Sequence, residues 1–585
     1  MKAKEIQLKG TGASPGIALG YVHVLDRGKI PVPRRTLTAD KLECELERFE
    51  EALALARDQL GHLRKKVSAE QGEEHLYLLE AQLLMLDDRS LIEETRAIIQ
   101  SNRINAEWAL AKALEHFKSM FDKIDDEYFR DRRSDLEYVE ERLLRILAGR
   151  HESGFVSLHR KTVIVAYEVS PADLAKISRE NLSGLATDSG GRTSHTAIVA
   201  RSFGIPTVVG LQEISQLAKN GDRVILDGLT GTVFLNPDSK TWSQFEKKRV
   251  RYLEGRKELL KNRHFKAETK DLYEVRLKAN LDFLEEVPSV LANGAEGVGM
   301  LRTEHLFLGG SIPVSEEEQF HSYSEIVKKM NPQETVIRIL DLAGDDLFSP
   351  PSGMHVVRNA VLGLRGARLL LAEPEILRTQ MRAIVRASAY GKVGILYPMV
   401  STVDEVRRLN AHLKETMTLL KKEHVPFDPE ISVGVLVEVP GLALIADQIS
   451  QEVNFLSVGT NDLIQYTLAA DRTNPLVADL FDPLHPGVLA LLRGIVQMAH
   501  KAGIEAGVCG EMASEPLLIP ILVGLEFNFL SMNPGSVPLA KEIVRGLSFE
   551  ECKRWVHRAL DENHPAQVRR ELAAWCSQRF PAVSP

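Results

Sequence analysis

The C-terminal half of the sequence contains eight short apolar runs that recur at regular intervals. In chain order they are VRLKANL, GVGMLR, TVIRILDL, VGILYPMV, VGVLVEV, FLSVGT, EAGVCG and FNFLSM. Most of them are separated by segments with helical periodicity. Eight buried strands that alternate with helices predict a (β/α)8 TIM barrel, which we assign to residues 269–585.

Polar side chains occur where these apolar runs end. The residues at these ends are Arg302, Glu304, Arg338, Asp341, Glu438, Asn461, Asp462, Cys509 and Glu511. In a (β/α)8 barrel, active residues gather at the C-terminal ends of the strands and in the loops that follow. Any one of these residues could be a buried ion-pair partner or a core acid. Together, so many polar groups at one rim predict a functional site.

The residue types at this rim favour a small phosphorylated and carboxylated substrate. Arg302 and Arg338 carry planar guanidinium groups, which bind carboxylate or phosphate oxygens in bidentate fashion. Glu438 and Asp462 supply two hard oxygen ligands, too few to enclose Ca2+. They suffice for Mg2+, which keeps several waters and takes other ligands from the substrate. Cys509 is either an inert buried thiol or a general acid that protonates carbon.

The N-terminal half predicts an α/β domain that is interrupted by helices. Short β-rich runs between Gly, Pro and Asp turns occupy residues 1–37 and 148–237, which we assign to this domain. Residues 38–147 lack proline and repeat apolar residues at helical spacing, which predicts an inserted helical bundle. Residues 238–268 are highly charged with little apolar face, which favours an exposed linker helix. The predicted fold class is therefore multidomain α/β.

One histidine in the α/β domain has an unusual setting. His195 lies in TDSGGRTSHTAIVARS, after two hydroxyl residues and close to a glycine pair, Gly190 and Gly191, that allows close backbone approach. A helix that begins here would offer free amide N–H groups to an anion. A neutral imidazole can accept a phosphoryl group, although a lone histidine is more often structural. The sequence thus predicts a phosphoryl donor site in the barrel and an acceptor histidine in a separate domain.

Charge and cysteine usage exclude several classes of protein. The net charge of −8 provides no basic field for nucleic acid, and no apolar run approaches the ~20 residues that span a bilayer. Four scattered cysteines without a CxxC pair suit a reducing cytoplasm. The segment from Asp40 to Arg150 has 26 acidic and 18 basic residues and so carries the whole net charge. It is either a solvated helical surface or a docking surface for a basic partner.

Several long motifs resemble those of the Enzyme I family of the bacterial sugar phosphotransferase system, the phosphoenolpyruvate-protein phosphotransferases. TDSGGRTSHTAIVARSFGIPTVVG is similar to the phosphohistidine signature of that family. GVGMLRTEHLFL, VGVLVEVPG, SVGTNDLIQYTLAADRTNP and VCGEMAS resemble its phosphoenolpyruvate-site motifs. The matches follow the same order as in the family and cover nearly the whole chain.

The resemblance implies a role for each matching residue. The implied catalytic residues are His195 and Cys509, the implied substrate-binding residues are Arg302, Arg338, Asn461 and Arg472, and the implied Mg2+ ligands are Glu438 and Asp462. His195 would take the phosphoryl group, and Cys509 would protonate the enolate of pyruvate. The α/β domain would swivel, the helical bundle would dock the histidine-containing phosphocarrier protein, and the barrel would form a homodimer.

One departure from the family leaves alternatives open. Where the family has a lysine near the substrate phosphate, this chain has Asp346, in LDLAGDD, and an acid there replaces attraction with repulsion. One alternative is therefore a weakly active, nitrogen-branch-like regulatory paralogue that mainly binds a carrier. Another is a dikinase or synthase that links phosphoenolpyruvate to a nucleotide, although the chain has no glycine-lysine phosphate loop.

Overall fold

A computed structural model of the chain describes most of its residues. The described ranges are 5–25, 32–38, 41–71, 86, 89–121, 139–140, 142–148, 160–169, 181–190, 197, 200, 204–307, 314–342, 362–471, 477, 480–562 and 564–580. The chain divides into two compact units, Met1–Leu253 and Glu254–Pro585. Within the described ranges, no helix has both the length and the apolar character needed to cross a membrane.

The N-terminal unit is built on one eight-stranded sheet. Its strands are β1 (Ile6–Lys9), β2 (Thr11–Ser14), β3 (Ile17–Val24), β4 (Thr162–Ala166), β5 (Leu182–Thr187), β6 (Thr207–Val209), β7 (Arg223–Asp227) and β8 (Thr232–Leu235). They lie in the order β1-β8-β7-β3-β4-β5-β6-β2, and the pairs from β3 to β6 are parallel. The predicted α/β fold of this half is confirmed.

Both faces of this sheet are covered. Along β4, Val163 and Val165 join one buried cluster, whereas Ile164 and Ala166 join another. Successive strand residues point to opposite faces, so the continuous apolar run of β4 is typical of a parallel strand that is buried on both sides.

Helices of the N-terminal unit form a separate apolar core. They are α1 (Leu42–Gln71), α2 (Arg89–Asn102) and α3 (Ala106–Phe121), with a further short helix, α4 (Ile214–Leu217), beside the sheet. Phe49, Leu53, Ala56 and Leu60 recur at helical spacing on α1 and are buried in a cluster that includes Leu110. The predicted helical segment is therefore present, and among the described residues its core contains none from the sheet.

The charged segment after the sheet forms a single helix, α5 (Ser239–Lys261). No residue of α5 is buried, as the low apolar content predicted. Its first half nevertheless carries a narrow apolar stripe, because Trp242 and Phe245 pack against Ile17 and Ile225 of the sheet. The boundary between the two compact units falls within this helix.

The C-terminal unit contains a closed parallel barrel. Its strands are β9 (Arg276–Leu281), β10 (Val298–Leu301), β11 (Thr335–Arg338), β12 (Val393–Tyr397), β13 (Ser432–Val437), β14 (Phe455–Val458), β15 (Glu505–Val508) and β16 (Phe529–Met532). Each strand pairs with the next in the sequence, and β16 pairs with β9. All eight predicted strand patterns are therefore strands of the barrel, and the predicted (β/α)8 fold is confirmed.

Helices surround this barrel. They are α6 (Val287–Ala292), α7 (Glu316–Met330), α8 (Ala367–Ala372), α9 (Pro374–Ala387), α10 (Val403–Lys422), α11 (Pro440–Ala443), α12 (Ala446–Ile449), α13 (Thr460–Leu468), α14 (Pro486–Lys501), α15 (Ile519–Gly524), α16 (Val537–Gly546), α17 (Phe549–Asp561) and α18 (Pro565–Arg579). Single 3-10 turns lie at Asn262–His264, Leu284–Glu286, Glu304–Leu306, Ser388–Tyr390, Glu511–Ser514 and Pro534–Ser536.

Strand residues alternate between the barrel interior and the helical layer. Val433, Val435 and Val437 of β13 pack with the surrounding helices, whereas Leu436 joins the interior cluster. Phe455 and Phe529 fill the same interior, with ring centroids 6.3 Å apart. The middle of the barrel is thus a packed apolar core.

Candidate active site

The C-terminal ends of the barrel strands bring most of the predicted site residues together. Arg302 follows β10, Arg338 ends β11, Glu438 follows β13, Asn461 and Asp462 begin α13 after β14, and Cys509 follows β15. The charged groups are close enough to interact electrostatically. Asp462 and Arg338 both act on the pKa of Glu438, and Arg338 also acts on the pKa of Arg302. These six residues therefore share one barrel mouth.

Arg338 is buried and held by two carboxylates. Its Nη2 donates a hydrogen bond to Oε1 of Glu304 at 2.8 Å, and its Nη1 lies 3.0 Å from Oδ2 of Asp341. The Nε atom is also buried but has no hydrogen-bond partner among the described residues. A buried donor without a partner is costly, so an oxyanion that approaches this edge of the guanidinium would be favoured.

Asp341 forms ion pairs with two arginines of the mouth, Arg338 and Arg365. Arg365 donates to both Asp341 oxygens, from Nε at 2.8 Å and from Nη2 at 3.0 Å, and its Nη2 also lies 3.5 Å from Oδ2 of Asp462. Burial acts to raise the pKa of Asp341, but Arg338 and Arg365 outweigh it and hold that pKa below its ordinary value. Asp341 is therefore a charged anchor that fixes two guanidinium groups.

Glu438 is a carboxylic acid in an unfavourable position for its charge. It is 1% exposed, and its Oε1 accepts a hydrogen bond from the backbone N–H of Met399 at 2.6 Å. Burial, followed by repulsion from Asp341 and Asp462, raises the pKa of Glu438 well above its ordinary value, although Arg338 and Arg365 oppose this shift. A positive charge placed beside Glu438 would therefore stabilise the ionised form.

Glu438 and Asp462 fit a divalent cation. Both offer hard carboxylate oxygens, and a Cβ at position 459 would lie 3.0 Å from Oε2 of Glu438, so Gly459 leaves space beside that oxygen. The part of the chain that the structure describes has no cluster of three or more acidic, histidine or cysteine side chains arranged around one metal position. A cation held here would take its other ligands from water or substrate, as Mg2+ does.

Cys509 lies on the inner wall of the barrel mouth. It is 2% exposed, belongs to the interior apolar cluster, and has its Sγ 3.7 Å from the carbonyl oxygen of Val458. Burial raises the pKa of the Cys509 thiol to about 11. The group is therefore a protonated thiol at neutral pH, which can give a proton but is a poor nucleophile.

Asn461 connects two loops of the mouth. Its Oδ1 accepts a hydrogen bond from the backbone N–H of Glu511 at 3.0 Å, so the loop after β14 is tied to the loop after β15. The two loops approach closely, because a Cβ at Gly510 would come within 2.0 Å of the Thr460 hydroxyl. The amide nitrogen of Asn461 has no hydrogen-bond partner among the described residues.

Three residues singled out from the sequence, His195, Arg472 and Asp346, lie outside the described residues. Near His195, Gly190 has a φ of +99°, a conformation that favours glycine. Ala197 and Ala200 are helical and buried against the sheet.

Sequence reasoning missed two features of this mouth. Arg365 does not directly follow a barrel strand, yet it contacts both Asp341 and Asp462. Asp282 follows β9 and lies 3.2 Å from Arg302, between Oδ1 and Nη1. The available signal for Asp282 was its position at the end of the first barrel strand, the place at which the other site residues were found.

Comparison with known proteins covers nearly the whole chain. Residues 9–132 match the family "PEP-utilising enzyme, N-terminal", residues 158–231 match its "mobile domain", and residues 256–549 match its "PEP-binding domain". The segment matched as a mobile domain includes His195, and the segment matched as a PEP-binding domain includes the barrel mouth. The two features predicted as phosphoryl acceptor and donor therefore lie in separate family domains.

Curated relatives extend over the same length. "Phosphoenolpyruvate-protein phosphotransferase" of Geobacillus stearothermophilus is 40% identical over 551 residues, covering 94% of this chain and 95% of that protein. The protein of the same name from Bacillus subtilis (strain 168) is 38% identical over 562 residues, covering 96% and 98%. That from Haemophilus influenzae is 36% identical over 564 residues, covering 96% and 97%. The chain therefore belongs to the phosphoenolpyruvate-protein phosphotransferase family of PEP-utilising enzymes.

Proposed function

We propose that the chain transfers the phosphoryl group of phosphoenolpyruvate to His195 and then to a histidine-containing phosphocarrier protein, releasing pyruvate. This would be the first step of sugar uptake by a phosphotransferase system. The observation that carries the proposal is the meeting of guanidinium groups, two carboxylates and a protonated thiol at one barrel mouth. Full-length relatives named for this activity support the same reaction.

Substrate binding is assigned to the positive groups of the mouth. Arg302 and Arg338, with Arg472, would hold the phosphate and carboxylate oxygens, and the side-chain amide of Asn461 would add a hydrogen bond. The unpartnered Nε of Arg338 supports this assignment, because a substrate oxygen would satisfy it. Holding the anion in one orientation lowers the barrier for an in-line transfer.

A metal ion is assigned to Glu438 and Asp462. Enzymes of this family use a metal, and the hard oxygen donors and the small number of protein ligands favour Mg2+. When bound, Mg2+ would neutralise charge on the substrate phosphate and carboxylate. The raised pKa of Glu438 supports the assignment, because a neighbouring cation would offset the burial and repulsion that disfavour its charge.

The nucleophile and the acid are His195 and Cys509. A ring nitrogen of His195 would form the new P–N bond while the bond between phosphorus and the enol oxygen breaks. The enolate left behind would take a proton on its terminal carbon from Sγ of Cys509 and become pyruvate, and the thiolate would regain a proton from water. Burial of the thiol supports this role, because it keeps the proton in place until the enolate forms.

Replacing Cys509 with alanine is expected to slow pyruvate formation by about 10²-fold, because enolate protonation then depends on water. The change is measured as pyruvate released from phosphoenolpyruvate and Mg2+. Cys552→Ala is the matched control, since Cys552 is also fully buried but lies on α17, away from the strand ends. Equal rates in the Cys509→Ala variant and the unmodified protein would remove the acid role.

The remaining parts of the chain would carry the phosphoryl group onward. We assign the phosphohistidine domain to residues 1–37 and 148–237, the carrier-docking helices to 38–147, the linker to 238–268, and the barrel with its dimer contact to 269–585. The acidic surplus of the docking segment supports a basic carrier surface. Movement of the histidine domain between the two partners would be a step that limits turnover.

The proposal is tested by incubating the full chain with phosphoenolpyruvate and Mg2+, then adding a histidine-containing phosphocarrier protein. We expect acid-labile phosphate on the chain, stoichiometric pyruvate, and transfer of label to the carrier. A chain that releases pyruvate without becoming phosphorylated, or that forms neither product, would contradict the proposal. The alternative of a regulatory paralogue is not favoured, because the full-length relatives are named as phosphotransferases.

A further inference from the structure

The guanidinium of Arg302 is held in a different way from that of Arg338. Among the described residues, the Arg302 side chain hydrogen-bonds only Asp282, and it does so through one nitrogen, with Nη1 at 3.2 Å from Oδ1 and 3.5 Å from Oδ2. Arg338 is instead buried between two carboxylates. Arg302 is also much more exposed than Arg338, since 41% of its side chain is accessible against 10%.

Fixed backbone contacts set the geometry of the Asp282–Arg302 pair. Leu281 and Leu301 are paired partners in the parallel strands β9 and β10, and the backbone N–H of Arg302 donates to the carbonyl of Leu281 at 2.9 Å. Asp282 and Arg302 are therefore the first residues beyond a matched pair of strand ends. Their side chains meet because the barrel ladder places their backbones side by side.

Hydrogen bonds to Glu286 stabilise the turn that contains Asp282. The buried carboxylate of Glu286 accepts hydrogen bonds through Oε2 from the backbone N–H groups of Asp282, at 2.8 Å, and Phe283, at 3.2 Å. The Phe283 ring packs against the His305 ring, with centroids 4.9 Å apart, and His305 belongs to the turn after Arg302. The turn after β9 therefore packs against the turn after β10, and this contact helps to fix the Asp282 carboxylate that accepts from Arg302.

We propose that Asp282 is a positioning residue that holds Arg302 by Nη1 and so presents its Nε and Nη2 edge to an oxyanion of the substrate. This inference rests on the proposed function, in which Arg302 binds phosphoenolpyruvate. A guanidinium edge formed by Nε and one Nη matches two oxygens of a phosphate or carboxylate. Without Asp282, the half-buried arginine would sample several rotamers, and the substrate would bear the cost of ordering it.

The test compares Asp282→Ala with Asp282→Asn in the full chain with Mg2+. Asp282→Ala is expected to raise both the Kd and the KM for phosphoenolpyruvate by about tenfold, the upper cost of ordering one long side chain. The kcat should change little, since Asp282 does not touch the reacting atoms. Asp282→Asn should restore most of the affinity, because its amide oxygen still accepts from Nη1. Asp447→Ala is the control, an exposed aspartate on α12.

A double-substitution cycle with Arg302→Ala separates positioning from general damage. In that background Asp282→Ala should have no further effect on Kd, because the group that it positions is absent. The same loss of affinity in both backgrounds, or an unchanged Kd for Asp282→Ala alone, would overturn the proposal. If the unmodified chain binds phosphoenolpyruvate but releases no pyruvate, the proposed function is refuted. The Kd values of the Asp282 variants would still test whether Asp282 positions Arg302.

Discussion

The His195→Ala variant is expected to carry no acid-labile phosphate after incubation with phosphoenolpyruvate and Mg2+, and to pass no label to a carrier. Alanine offers no nucleophile, and loss of the residue that forms the covalent intermediate typically slows a reaction by about 10⁴-fold or more. Binding of phosphoenolpyruvate should be unchanged, because the residues assigned to it lie in the barrel unit. The measurements are phosphoprotein formation, pyruvate release and the Kd for phosphoenolpyruvate.

The His557→Ala variant is the matched control for this experiment. His557 is exposed on α17, and its replacement should leave phosphorylation and pyruvate release as in the unmodified chain. Label retained by the His195→Ala variant at the level of the control would show that another side chain is the acceptor. Loss of phosphoenolpyruvate binding together with phosphorylation would indicate damage beyond the removal of a nucleophile.

Strand patterns allowed much of the fold to be predicted, because burial leaves a local signature. β13 supplies valines to the helical layer and Leu436 to the interior, so most of its sequence is apolar. The same is true of β4 in the N-terminal sheet, where alternate residues join clusters on opposite faces. The stripe of Trp242 and Phe245 on α5 was missed, because two aromatic residues among many charges give only a weak periodic signal.

Part of the site could be predicted from the sequence, because residues that follow the strands of a parallel barrel all lie at the same end of it. Residues directly after strands, such as Glu438 and Cys509, had to meet at one rim once the strands were assigned. Arg365 does not directly follow a strand, so the barrel pattern alone does not place it beside Asp341. Burial, followed by the nearness of Asp341 and Asp462, raises the pKa of Glu438, and no sequence motif states either. Sequence therefore identified several of the residues that meet at the mouth, whereas the pairing among them required three-dimensional structure.

Replacing Glu438 with glutamine is expected to slow pyruvate formation by about 10³-fold and to weaken Mg2+ binding, since a full charge is lost from the assigned metal ligand. Glutamine keeps the size of the side chain, and its amide oxygen can still accept the hydrogen bond from Met399. The substitution also removes a charge that burial, Asp341 and Asp462 all disfavour. The thermal midpoint of the metal-free chain should therefore stay the same or rise while activity falls.

This opposition between stability and activity distinguishes a metal ligand from a structural acid. If Glu438 only supported the fold, its replacement would lower the thermal midpoint, and activity would fall with the folded fraction. Glu452→Gln is the control, because Glu452 pairs with Arg407 at 2.8 Å and precedes β14, at the opposite end of the barrel. Mg2+ affinity of the Glu438→Gln variant equal to that of this control would rule Glu438 out as a ligand. If the Glu438→Gln variant instead loses Mg2+ affinity while its thermal midpoint stays the same or rises, the buried charge of Glu438 serves to bind the cation and not to stabilise the fold.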